Sequence, residues 1–143
     1  MFPEQTPMDK LTKAERSVLM SRVRSKDTKP ELIVRSMVHR MGFRYHLHSK
    51  TLPGSPDLVF ARRRKIVFVH GCFWHGHNCR AGRNRPESRK FYWDAKLERN
   101  RRRDRLNSIR LRRDGWSLLT VWECQTRKRD RLAQRLKSFL ETT

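Results

Sequence analysis

The chain has 143 residues, with 35 Lys and Arg against 14 Asp and Glu, a formal net charge of +21 and an isoelectric point of about 11.4. That length suits a single domain with a real core, and so large a cationic excess calls for a polyanionic partner, nucleic acid foremost. No apolar run reaches the roughly twenty residues of a spanning helix, and residues 1–10 lack the apolar stretch of a secretion signal, so a cytoplasmic protein with no membrane attachment is expected.

Residues 1–10, with two prolines and little apolar material, read as a flexible lead-in to a domain over 11–143. Residues 11–23 predict a short helix: Thr12 and Glu15 form a capping box, and Val18, Leu19 and Val23 give a narrow apolar stripe on a basic surface. A stronger helix is predicted over 28–41. Thr28 and Glu31 repeat the capping box, Pro30 occupies the first turn, Ile33, Met37 and Met41 recur every four residues, and Gly42 supplies the stop. Residues 43–48 alternate as a first strand, and the Leu52-Pro-Gly-Ser-Pro56 turn delivers the chain to Asp57 and a second strand over 57–61.

The basic run 62–65 reads as a hairpin turn into a third strand over 66–70, which pairs Asp57 with His70 and Leu58 with Val69. Residues 80–90 read as an exposed basic loop, followed by the aromatic cluster Phe91, Tyr92 and Trp93. Residues 94–113 predict a long arginine-rich helix with Leu97, Leu106, Ile109 and Leu111 facing inward. A strand over 116–122 and a helix over 129–140, apolar at Leu132, Leu136, Phe139 and Leu140, close the chain. This order describes an α/β domain with a central mixed sheet flanked by helices.

Chemistry concentrates in residues 66–79, where an apolar strand runs into Cys72, His75, His77 and Cys79. Three cysteines cannot all pair, and in a reducing compartment they serve better as metal ligands. Thiolate and imidazole donors suit tetrahedral zinc, and Cys124, at the end of a second strand, supplies a distant ligand. Spacing leaves open whether His75 or His77 completes the set. A full shell of four protein ligands makes such a zinc structural.

Asp57 opens a strand beside His70, with His75 five residues further on. A carboxylate there could hold magnesium near a phosphate while a histidine deprotonates water. Phe73 and Trp74 lie in the loop and Trp93 in a basic segment, surroundings in which aromatic rings stack on bases or wedge between them.

Three stretches carry a family resemblance: Leu52-Pro-Gly-Ser-Pro-Asp57, His70-Gly-Cys-Phe-Trp-His75 and Val121-Trp-Glu-Cys124. The chain resembles the very short patch repair (Vsr) endonucleases over roughly residues 16–140. The resemblance implies a restriction-endonuclease-like fold, a structural zinc and magnesium-dependent nicking of one strand beside the thymine of a T·G mismatch. It further implies a bacterial, nucleoid-associated monomer working alongside a cytosine-5 DNA methyltransferase, with mismatch-repair proteins as possible partners. By position, Asp57 and the Val69 main-chain carbonyl resemble the magnesium ligands and His75 the general base. His70 resembles a neighbouring catalytic histidine and Glu31 the acidic residue of the preceding helix. The resemblance assigns zinc to Cys72, His77, Cys79 and Cys124, and the aromatic wedge at the mismatch to Phe73, Trp74 and Trp93.

Two rivals make different predictions. A non-catalytic zinc-stabilised DNA-binding module binds DNA with steep salt dependence and leaves it uncut. A restriction or junction endonuclease of the same fold cuts matched or branched DNA.

Overall fold

The computed structural model describes residues 27–83 and 89–142. The helix expected over 11–23 and the lead-in before it lie outside those residues. Helix α1 spans Lys29–Arg40, strand β1 His46–Leu47, β2 Leu58–Phe60 and β3 Lys65–His70. They are followed by a short helix α2 at Arg80–Arg83, the long helix α3 at Lys90–Arg113, strand β4 at Ser117–Trp122 and helix α4 at Arg129–Glu141.

The four strands form one sheet in the order β1-β2-β3-β4, with β1, β2 and β3 antiparallel in turn and β4 parallel to β3. The sheet is therefore mixed, as the sequence predicts. The alternation of side chains along each strand divides its core in two. On one face Leu58, Phe60, Val67 and Val121 meet Val34 and Val38 of α1 and Leu132, Leu136 and Leu140 of α4. On the other, Val59, Ile66 and Phe68 meet Leu111 of α3. Strand β3 lies between two neighbours with helices over both faces, which is why Ile66-Val-Phe-Val69 reads as an unbroken apolar run.

Several local expectations shift. Thr28 caps α1 as predicted, its hydroxyl accepting from the Glu31 N–H. The buried stripe, however, is Glu31, Val34 and Val38, one position away from the Ile33–Met37–Met41 stripe; Met37 and Met41 pack at its margin. The hairpin register also differs: Leu58 pairs with Val67 and Phe60 with Lys65, a two-residue slip that preserves which face each side chain takes. The cause is Lys65, expected in the turn but buried in β3, where its ammonium donates to the carbonyls of Phe139, in the last turn of α4, and Thr142, just past it. The turn instead closes on Arg64 in the left-handed region, at φ 55°.

Helix α3 begins four residues before the expected start and takes in the aromatic cluster. Leu97 and Leu111 face inward, but Leu106 and Ile109 are exposed. The inward stripe runs Trp93, Leu97, Asn100, Asp104, Asn107 and Leu111, so its middle is polar. Asp104 and Asn107 face the cleft described next, Asn100 donates to the Trp74 carbonyl at 2.9 Å, and a purely apolar period passes over all three.

Candidate active site and metal centre

The site lies where β2 begins and β3 ends. Asp57 stands just before β2, and its Oδ2 accepts the Val69 N–H at 2.7 Å. With the observed register, the partner of Asp57 is this backbone and not the His70 ring. Both residues nevertheless line one cleft of about 500 Å³, together with Val69, His75 and, from α3, Arg103, Asp104 and Asn107. Burial, with Glu31 within hydrogen-bonding reach, pushes the Asp57 carboxyl up to about 6.

Glu31, expected as a helix-capping acid or a supporting acid, is 1% exposed. Its Oε2 lies 2.7 Å from His48 Nε2 and 3.4 Å from Arg35 Nη1. Glu31, buried, and Asp57, half-buried in the cleft wall, lie close enough to interact, and two neighbouring carboxylates are a donor pair matched to a hard divalent cation.

The two candidate catalytic histidines stack face to face, ring centroids 3.7 Å apart and planes 4° from parallel. His70 is half-buried, its buried Nδ1 has no hydrogen-bond partner among the described residues, and desolvation with His75 alongside holds it down to about 4. His75 Nδ1 lies 2.6 Å from Asp104 Oδ2. An ionised carboxylate only accepts, so Nδ1 carries the proton and Nε2 is left as the basic nitrogen. Asp104 was not singled out in the sequence. The signal for it was there: an acid in an arginine-rich helix, on the same helical stripe as Trp93, Leu97 and Leu111.

Cys72, His77, Cys79 and Cys124 converge, each offering a ligand atom, all within 4.8 Å of one another. Cys124 Sγ is 3.7 Å from His77 Nδ1, the Cys124 N–H donates to Cys72 Sγ at 3.4 Å, and the Gly82 N–H to Cys79 Sγ at 3.4 Å. Burial pushes the Cys72 thiol up to about 12, whereas the Gly82 amide lowers Cys79. Such a set fits a tetrahedral metal, which would replace the thiol protons.

Helix α2, in a stretch expected to be loop, brings the Gly82 amide to the cluster; a Cβ on Gly82 would collide with the His77 carbonyl oxygen. His75, the other histidine left open by spacing, is instead engaged by Asp104. The two centres share a wall: Trp122 stacks on His77 at 4.1 Å and meets His70 edge-on at 5.3 Å.

Phe73, Trp74 and Trp93 do cluster, with Phe73 5.0 Å from Trp74 and 5.6 Å from Trp93. They are not equivalent. Phe73 and Trp74 are partly exposed, while Trp93 is fully buried beneath them and presents no face to a ligand in this conformation. None of the helices among the described residues is long and apolar enough to cross a membrane.

A family model described as DNA mismatch endonuclease Vsr matches residues 8–81. Type II nicking enzyme V.XorIIP of Xanthomonas oryzae pv. oryzae is 48% identical over 133 residues, 93% of this chain and 97% of that protein. Type II nicking enzyme V.NmeAIP of Neisseria meningitidis is 38% identical, over 92% of this chain and 94% of its own. DNA mismatch endonuclease Vsr of Escherichia coli is likewise 38% identical, over 84% of this chain and 76% of its own.

Proposed function

The chain belongs to the Vsr family of DNA endonucleases, and from that premise we propose that it nicks one strand of a duplex beside the thymine of a T·G mismatch. The observation that carries the reading is the cleft itself: Asp57, the Val69 backbone, His70 and the His75–Asp104 pair meet in one place, beside a Cys/His cluster. The restriction-endonuclease-like fold and the structural zinc on Cys72, His77, Cys79 and Cys124 belong to the same proposal. So does action as a monomer on the products of 5-methylcytosine deamination, alongside a cytosine-5 DNA methyltransferase and mismatch-repair proteins in the bacterial nucleoid.

The chain's own groups divide the work. Asp104 holds the His75 ring with Nδ1 protonated, so Nε2 takes the proton from an attacking water. His70, half-buried and neutral beside it, keeps the ring of His75 flat and excludes water from its face. Asp57 and the Val69 carbonyl would hold magnesium, which supplies Lewis-acid polarisation of a phosphoryl oxygen. The Cys/His centre would fix the loop carrying His75, Phe73 and Trp74, and a positive surface draws in the phosphate backbone.

The test is cleavage of end-labelled duplexes, one with a T·G mismatch in several flanking contexts and one fully matched, with magnesium and then with a chelator of it. The expected result is a single magnesium-dependent nick on the thymine strand, lost in Asp57→Ala. Binding without a cut in every context would favour a zinc-stabilised DNA-binding module, and equal cutting of matched duplex a restriction-type enzyme.

A further inference from the structure

His48 stands one residue beyond β1, and continuing the β1–β2 register pairs it with Asp57. Its N–H donates to the Asp57 carbonyl oxygen at 3.0 Å, and Ser49 N–H to the Pro56 carbonyl at 3.2 Å. Its backbone is left-handed there, at φ 48°, a conformation uncommon outside glycine but one that histidine, like asparagine and aspartate, adopts more readily than most residues. The outcome of this placement is the short contact from His48 Nε2 to Glu31 Oε2, at 2.7 Å. The main chain of His48 is thus tied to Asp57 while its side chain is tied to Glu31.

We propose that His48 is a positioning residue, which holds the buried carboxylate of Glu31 against Asp57 and so completes an acidic pair for a divalent cation. This rests on the nuclease reading above and assigns a part to a residue which that reading leaves out. Two carboxylates brought together in a buried place repel each other, and one would turn away unless something fixed it from behind. Arg35 does this poorly: its guanidinium is 3.4 Å from Glu31 and spends its short contact, 2.7 Å, on Asp27. His48 supplies the short bond and is itself held by the sheet register. Outer partners of this kind fix the orientation of metal-binding carboxylates and imidazoles, and their loss typically costs about 10–100-fold in metal affinity.

Asp27, Glu31 and His48 also lie close enough together to suggest a metal site of their own. The Arg35 guanidinium contacts both acids of that trio, so a cation already neutralises it.

The experiment compares His48→Leu, His48→Gln and Asp57→Asn with the wild type, all in the zinc-loaded full chain. Manganese(II) is the probe: its free-ion resonance signal reports binding directly, without reference to cleavage. Nicking of a T·G duplex against magnesium concentration is followed in parallel, with zinc content and Tm as controls. His48→Leu should weaken manganese binding about 10-fold or more, with zinc content unchanged. His48→Gln, which keeps a side-chain N–H donor, should recover most of the affinity.

Should the leucine variant fail to fold, His48→Asn, polar but too short to span to Glu31, takes its place. Wild-type affinity in His48→Leu or His48→Asn overturns the assignment, and so does a glutamine variant no better than leucine. If wild-type manganese binding depends on Asp57 and His48 but no duplex is nicked, the nuclease reading fails and the role of His48 in cation binding stands. If nicking is normal and manganese affinity is indifferent to His48, the assignment of His48 fails alone.

Discussion

His75 is held from two sides: its ring lies flat on His70, centroids 3.7 Å apart, and its Nδ1 is hydrogen-bonded to Asp104 at 2.6 Å. A ring fixed in plane and in tautomer presents one nitrogen to the cleft. Asp104→Asn should therefore leave the fold intact and disturb the proton-accepting nitrogen, because an amide can donate to Nδ1 and stabilise the wrong tautomer. We expect the single-turnover nicking rate to fall on the order of 10²-fold, with DNA affinity and Tm close to wild type. A rate within twofold of wild type (about 0.4 kcal/mol) would remove Asp104 from the mechanism.

Asp57 gives the protein a particular pH dependence. Its carboxyl is raised from 3.8 to about 6, chiefly by burial, so the native state binds this proton more tightly than the unfolded chain does. The sign follows: between about pH 4 and pH 6 the unfolded state binds fewer protons, and stability falls as pH rises, by on the order of 2–3 kcal/mol from this group alone. Asp57→Asn should remove that part of the slope. Denaturant unfolding of magnesium-free wild type and variant at about pH 4 and about pH 7 measures it; parallel profiles for the two proteins would contradict the burial argument.

The parts of the fold that were legible in the sequence are those set by strong local periodicity. Strand β3, the cap of α1 at Thr28 and the stripe Leu132–Leu136–Leu140 of α4 all fall where pattern alone puts them. The cysteines were legible because their chemistry is distinctive, though the choice of His77 over His75 came only from the family resemblance, and only folding brings Cys124 to Cys72.

What stayed hidden depended on distant partners. Lys65 looks like a turn residue until the carbonyls at the end of α4 take its ammonium. Asp104 is one acid among many arginines until His75 arrives from another element. His48 is an ordinary strand-end residue until α1 brings Glu31 beneath it. For Asp104 and for Glu31, the partner of His48, the cause is a polar residue on an inward helix face: it breaks the apolar period where a site requires it, so that the period points to Leu106 and Ile109 as core although both are exposed.

The Cys/His centre predicts a clean separation of stability from chemistry. Cys124→Ala removes from the Cys/His cluster the member that joins the end of β4 to the β3 loop, leaving Cys72 buried with a thiol already disfavoured as thiolate. Bound zinc should drop from one equivalent to near none, and a loss of a few kcal/mol should lower Tm by about 10 °C. The effect should reach the catalytic side through Trp122, which touches both His77 and His70. Metal analysis and calorimetry of the purified variant check this, and an unchanged Tm with full zinc content would exclude a structural centre.

The aromatic cluster should split into two classes, because its members differ in burial. Trp93 is 0% exposed and lies under Phe73 and Trp74. Trp93→Ala therefore opens a cavity and should cost about 3–5 kcal/mol of stability, whatever its effect on DNA. Phe73 and Trp74 keep exposed faces on a loop beside the cleft, so Phe73→Ala and Trp74→Ala should cost about 1 kcal/mol or less. Their defect should appear in selectivity, as a smaller ratio of T·G to matched cutting, since a ring that enters a distorted base step contributes most where the pair is already weak. Trp93→Phe separates support from insertion: it fills most of the cavity and should restore both Tm and selectivity. If Trp93→Phe is stable yet loses selectivity as fully as Trp74→Ala, the buried indole must move out to meet the duplex, and the three rings act as one wedge after all.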